Sequence, residues 1–217
     1  MITFRRLPML LGAAMMMASA AFAQTTGVIN VTGTNPEAFS LTDTTGIPLS
    51  ATLALGTLTP TNSNSVAPAP PVTVRIRTNK AYKLSAQAAA LSFTTPGLPD
   101  NGDTIALTDI GFGITGMTLT GVNVANTGSR LESIPSGFDV SGGWPTATNG
   151  LTPAFGKTLN DITTDTQILT GTRVSKKGNM ATDNNFISVS FGAAALPQYF
   201  TPNAGFSSTI TLTIASQ

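Results

Sequence analysis

Apolar and polar residues alternate along most of this chain, and that alternation restricts the fold more than any other feature. The clearest runs are Val72 to Arg77, Ile187 to Phe191 and Ile210 to Ile214. Successive side chains on a β-strand point to opposite faces, so each run predicts a strand with one buried and one solvated face. Further runs of the same kind begin at Gly27, Thr52, Tyr82 and Ile110.

These runs amount to about seven strands, separated by segments rich in turn-forming residues. Three such segments are Thr59 to Pro71, Thr94 to Asp103 and the glycine-rich loop at 133–150. Glycine and proline interrupt nearly every window that could otherwise form a helix. The pattern therefore predicts an all-β protein, with an immunoglobulin-like antiparallel β-sandwich over residues 24–217 as its single domain.

Residues 1–23 have the layout of a secretory signal peptide. Arg5 and Arg6 precede the uncharged apolar stretch Leu7 to Met17, and Ala21-Phe22-Ala23 supplies small residues at the cleavage positions. The apolar stretch is shorter than the ~20 residues that a spanning helix needs, and no later segment is long and apolar enough. We therefore expect a secreted protein, extracellular or at the cell surface and exported through the periplasm, with no integral membrane span.

Charge and composition argue against several classes of partner. Removal of Arg5 and Arg6 with the leader leaves nine of the eleven basic residues beside ten acidic ones, a net charge of −1. A near-neutral chain lacks the basic face that nucleic acid or anionic lipid requires. We therefore expect no nucleic-acid partner.

No residue pattern indicates a catalytic, cofactor or metal site, so we expect no enzyme activity. The chain has neither cysteine nor histidine, which excludes thiol catalysis, His-based triads and Cys/His zinc sites. Its acidic residues lie mostly in turns, where Asp commonly serves as a turn or capping residue. The segments Pro99 to Asp103 and Asp161 to Asp165 lack the ligand spacing of an EF-hand.

Trp144, the only tryptophan, lies among Gly142, Gly143 and Pro145 in the glycine-rich loop. It has two interpretations: an exposed platform that stacks on sugar, or a side chain packed against the edge of the core. The second is the more frequent role of a single tryptophan, and Trp144 remains the candidate ligand-contact residue.

Three segments together resemble the spore-coat-protein-U-like and alternate chaperone–usher pilin families. They are Val72 to Ala86, Asp109 to Ile114 and the C-terminal block Pro197 to Gln217. The chain departs from the spore-coat-U-like pattern in lacking cysteines, and its long Gly/Trp insertion is also atypical. The resemblance implies an incomplete immunoglobulin-like sandwich whose open groove accepts a strand from the next subunit.

The resemblance further implies that the partners are copies of the chain or related subunits, together with a periplasmic chaperone. The alternating segment that contains Ile29 and Val31 is the candidate donor strand. Its alternative is an ordinary first strand of a complete sandwich, favoured because only one strand precedes Pro36 where a donor and a first strand would need two. Two other functions stay open: a monomeric binding module for a ligand such as carbohydrate, and a secreted hydrolase.

We predict that the exported protein begins at Gln24. The positive n-region, the apolar stretch and the Ala-Phe-Ala site together specify cleavage after Ala23. Intact-mass measurement of the protein secreted by its own host tests this, and secreted material that retains Met1 would contradict it.

Overall fold

The computed structural model describes residues 30–60, 66–94, 104–120, 132–144, 155–174, 185–200, 202 and 205–217. The described chain is mostly strand with almost no helix, which confirms the all-β prediction. It divides into Met1–Asn35, of which residues 30–35 are described, and the compact unit Pro36–Gln217. Among the described residues there is no helix long and apolar enough to cross a membrane.

Ten strands and two short 3-10 helices lie in the described part of the compact unit. The strands are β1 (Phe39–Thr42), β2 (Ala67–Pro68), β3 (Val72–Thr78), β4 (Tyr82–Ala88), β5 (Ser92–Phe93), β6 (Ile110–Thr120), β7 (Thr166–Gly171), β8 (Phe186–Ala195), β9 (Phe206–Ser207) and β10 (Ile210–Ser216). The 3-10 helices are Leu107–Asp109 before β6 and Leu159–Ile162 before β7.

The larger sheet is antiparallel and is built around β8. β6 pairs along one edge of β8, while β3 and the two-residue β2 share the other edge; β1 pairs with the far side of β3. Ile76 lies opposite Ile187 and Val74 opposite Val189, and all four side chains are fully buried. The alternation in the sequence therefore places the apolar side of β3 and β8 on one inward face.

The smaller sheet has the order β10-β4-β7 and is also antiparallel. Leu84 of β4 lies opposite Ile214 of β10 and Leu169 of β7. A register shift falls between Leu84 and Ser85, and the adjacent residues Ile168 and Leu169 of β7 are both fully buried. Such an irregularity breaks the strict two-residue period, which explains how neighbouring side chains both become buried.

Both sheets contribute their inward side chains to one hydrophobic core. The larger sheet supplies residues of β3, β6 and β8, and the smaller sheet supplies residues of β4 and β7. Phe112 and Phe191 stack within this core with ring centroids 5.9 Å apart. The pair β5–β9 forms a separate two-stranded sheet, and Phe93 and Phe206 pack against the core from it.

Two predicted strands are not strands where the structure describes them. Residues 30–32 of the run from Gly27 to Thr32 have no strand conformation, and the run at 52–55 has none either. In the second run Leu53 and Leu55 are half-buried while Thr52 and Ala54 are exposed, so the alternation is real. Residues 49–60 nevertheless make no backbone hydrogen bond to another described residue, and a strand requires such a partner.

We predict that Leu84→Ala destabilises the fold about twice as much as Leu212→Ala. Leu84 is fully buried between two neighbouring strands, so its truncation leaves a cavity and should cost ~2–5 kcal/mol. Leu212 lies half-buried on β10, where the site is open and the cavity smaller. Chemical denaturation of both variants measures the two free energies, with the exposed Thr211→Ser as a control near zero. Equal costs for the two leucines would show that β10 is buried as deeply as β4.

Candidate functional site

The candidate donor segment is fully accessible where the structure describes it. Val31 is 93% exposed, and residues 30–38 are all exposed. Ile29, its predicted companion, lies outside the described residues. Val31 is thus a large apolar side chain left in solvent at one position of the alternating segment.

β1 and β10 each have one edge that pairs with no other strand in the described chain. β1 pairs with β3 alone, apart from a single bridge between Thr42 and Pro48, and β10 pairs with β4 alone. The two strands approach one another, so these edges border one side of the compact unit. We call this pair of edges the seam. The apolar row of β10 faces the core there but stays only half-buried.

Residues 49–60, which we call the strap, leave the edge of β1 just after Pro48. Four leucines of the strap are half-buried and pack against the core: Leu49, Leu53, Leu55 and Leu58. Within the described chain the strap is held by these side chains and by no backbone hydrogen bond. Segments with few fixed hydrogen bonds belong to the less stable part of a fold.

Trp144 covers the sheet from outside. Its ring meets that of Phe155 edge-on, with centroids 6.0 Å apart and planes at 88°. A Cβ placed on Gly192 of β8 would lie 3.1 Å from Cζ2 of Trp144, and one on Gly111 of β6 would lie 2.5 Å from the Phe155 ring. Glycine at these positions lets both aromatic rings lie directly on the strands. Trp144 is thus packed on one side while remaining partly exposed.

Two arginines share one aromatic ring on the outward side of the larger sheet. Arg75 and Arg77 alternate with buried residues of β3, so both point away from the core. The guanidinium carbon of Arg75 lies 4.3 Å from the centroid of Phe186, and that of Arg77 lies 5.7 Å from it. Both distances suit a cation–π interaction.

The sequence did not reveal this cluster. Its pattern predicted a solvated strand face for Arg75 and Arg77; both do face away from the core, but they are half-buried there. Phe186, which they contact, is more than a hundred residues away in the sequence. Phe186 does carry one signal: it is an apolar residue at a polar position of the alternating run that continues to Phe191.

Four aspartates whose surroundings are described serve turns or helix ends, as their sequence context predicts. Asp43 accepts hydrogen bonds from the backbone N–H groups of Thr45 and Gly46, at 2.7 and 2.8 Å. Asp139 accepts from Ser141 in the same way, whereas Asp109 and Asp161 accept from the residues that precede the two 3-10 helices.

These hydrogen bonds favour the charged carboxylates. The hydroxyl of Thr45 lowers the pKa of Asp43, and the backbone donors of the same turn act in the same direction. The hydroxyl of Ser141 likewise lowers the pKa of Asp139. A carboxylate occupied in this way stabilises its own turn. Among the described residues, no three Asp, Glu, His or Cys side chains come together as a metal site would require.

We predict that Gly111→Ala moves the Trp144–Phe155 pair. The added methyl group would lie 2.5 Å from the Phe155 ring, so the ring must shift, at a cost of ~1–3 kcal/mol in stability. Because Trp144 is the only tryptophan, its fluorescence reports the change directly. Gly116→Ala on the same strand is the control, since nothing lies within 4 Å of a Cβ there. An unchanged emission spectrum in Gly111→Ala would contradict the described packing.

Comparison with protein-family models and curated proteins identifies no relative. No protein-family model matches the chain, and no curated protein matches it either. Functional inference therefore depends on the candidate donor segment, the seam and the outward side of the larger sheet.

Proposed function

We propose that this chain is an exported fibre- or coat-forming subunit that assembles by β-strand addition. In this proposal the segment that contains Ile29 and Val31 pairs with the seam of a neighbouring copy. The observation that carries the proposal is the 93% exposure of Val31 within an alternating segment. An apolar side chain left in water at a regular strand period is suited to burial in a partner.

The seam offers what an incoming strand needs. The unpaired edges of β1 and β10 present backbone N–H and C=O groups, which act as a template for another strand. β10 also carries three half-buried apolar side chains, Ile210, Leu212 and Ile214. A strand added at its edge would cover them. Each fully buried valine or isoleucine contributes about 1.5–3 kcal/mol, beyond the backbone hydrogen bonds.

The fold in this proposal is an immunoglobulin-like sandwich that lacks a strand at the seam. Two antiparallel sheets that share one core are the architecture of such a sandwich. Segments on which the resemblance to coat and pilin subunits rests contain strands of this unit: β3 and β4, the start of β6, and β10. The role is structural rather than catalytic, and a periplasmic chaperone would cover the seam until assembly.

The strap suits the same proposal. Its leucines cover the core, but its backbone is not paired with any described strand. An incoming donor strand supplies both apolar side chains and backbone hydrogen bonds, whereas the strap supplies side chains alone.

We predict that deletion of Gln24 to Gly33 leaves the monomer as stable as the full mature chain and abolishes polymers. Val31 is exposed in the monomer, so its removal costs the monomer no buried surface. Thermal unfolding and size-exclusion chromatography with light scattering measure the two properties side by side. An unfolded deletion variant, or one that still polymerises, would overturn the proposal.

A matched pair of charge substitutions sharpens the test. In an extended donor Val31 and Thr32 point to opposite sides, so only one of them faces the acceptor. Val31→Asp should block assembly because it would bury a charge in an apolar pocket of the acceptor. Thr32→Asp should assemble nearly as well as the unsubstituted protein. Equal inhibition by both would indicate general charge repulsion rather than strand addition.

A further inference from the structure

We propose that Asn79 directs the candidate donor segment to the seam of a neighbouring copy, because it prevents the segment from folding back onto its own seam. The inference rests on the proposed function and adds a positioning residue to it. Asn79 lies in the turn between β3 and β4, where its side chain holds the backbone of Pro36 and Ala38. We call these three residues the clasp.

The clasp is made of three hydrogen bonds to the chain just before β1. Oδ1 of Asn79 accepts from the backbone N–H of Ala38 at 2.8 Å, and Nδ2 donates to the carbonyl of Pro36 at 2.9 Å. The backbone N–H of Asn79 donates to the carbonyl of Ala38 at 3.2 Å. Since Phe39 pairs with Thr78, these contacts continue the register of β1 and β3 by one more step. The chain from Pro36 onward is therefore held in line with β1.

An ion pair beside the clasp contributes less to this restraint. Lys80 contacts the carboxylate of Glu37, and each of the two side chains is 46% exposed. Exposed ion pairs are weak, because solvent and salt screen them and both long side chains lose freedom. The amide of Asn79 instead bonds to backbone groups on both sides of Glu37. Asn79 is therefore the side chain on which the restraint depends.

Without a restraint, a donor would meet its own seam before that of another copy. Only seven residues separate Val31 from Phe39, the first residue of β1. A short flexible linker gives an effective concentration on the order of millimolar, unless the geometry prevents contact. The outer edge of β1 pairs with no other described strand, apart from the bridge between Thr42 and Pro48. A subunit that polymerises therefore needs a feature that disfavours closure of its own seam.

The clasp lies where a fold-back would have to turn. The strands of a hairpin pair symmetrically about the centre of their loop. Leu41 and Phe39 are the residues of β1 that pack against the core. Position 36 lies midway between 31 and 41, and position 35 midway between 31 and 39. A hairpin that laid Val31 beside either residue would thus turn at Pro36 or one residue before it. Asn79 holds that part of the chain extended, so the turn requires the clasp to open.

Labelling of a single thiol tests the clasp without reference to polymers. The chain has no cysteine, so Val31→Cys in the mature protein provides one reactive group. At concentrations that keep the protein monomeric, we expect a maleimide to label it within twofold of the rate for a short unstructured peptide. Addition of Asn79→Ala should let the segment fold back and slow the labelling at least tenfold. Equal rates in the two proteins would overturn the proposal.

Assembly of the chain with Val31 intact gives a second measurement. Asn79→Ala should form at least tenfold less polymer by light scattering, because a seam closed by its own segment accepts no donor, while its denaturation midpoint should not fall. Lys80→Gln is the control, since it removes the exposed ion pair and leaves the clasp, and it should assemble as the unsubstituted protein does. A lower midpoint in Asn79→Ala with the thiol still accessible would show a structural role only and overturn the proposal.

Failure of this inference is distinguishable from failure of the proposed function. If the unsubstituted protein forms no polymers while Asn79→Ala still slows labelling, the proposed function fails and the restraint on fold-back stands. If both proteins polymerise equally, the proposed function stands and the role of Asn79 fails. Should Asn79→Ala not fold by circular dichroism, Asn79→Ser replaces it, because its shorter side chain cannot bridge both backbone partners. Loss of the fold in both variants would overturn the proposal.

Discussion

The structure depends on one buried apolar layer, to which both sheets contribute alternate residues of their central strands. β8 places Ile187, Val189 and Phe191 in this layer, and β4 places Tyr82, Leu84 and Ala86 there, nearly all with no exposed surface. With no cysteine to form a disulfide, the burial of these side chains supplies most of the stability. Every other feature is attached to the margins of this layer, where burial is incomplete.

The margins differ in how they are covered. On the side of β6, glycines let Phe155 and Trp144 lie directly against the strands, so that Gly111 to Ile114 are buried on both faces. The outer edges of β1 and β10 pair with no other described strand, apart from the single bridge between Thr42 and Pro48. The strap packs its leucines on the core without backbone pairing to the described chain. One side of the compact unit is therefore closed by close packing, while the seam keeps unpaired strand edges.

The sequence predicted the central strands well because both determinants of a strand, alternation and burial, coincide there. β3, β4, β8 and β10 all lie where the pattern placed them. The pattern did not predict β7, because its irregular register lets the sequence neighbours Ile168 and Leu169 both be buried, which hides the two-residue period. The run at 52–55 was wrongly predicted as a strand, since alternation indicates which side chains are buried and not whether the backbone finds a partner.

The candidate sites were predictable to different degrees for a similar reason. Alternation alone singled out the segment that contains Ile29 and Val31, and it did not predict the exposure of Val31. The cluster of Arg75, Arg77 and Phe186 arises only when β3 and β8 pair in one register, and no local pattern encodes that pairing. Trp144 was recognised from composition, but its contact with Gly192 again depends on long-range packing.

Period-two alternation commits one face of each strand to the core and leaves the other face free to vary without cost to folding. The proposed strand addition would use the edges of the sheets, where backbone N–H and C=O groups face no other described strand. The outward side chains of β3 and β8 are then required by neither the core nor the edges. In the proposed polymer, subunits joined at the seam would repeat these outward side chains along its length.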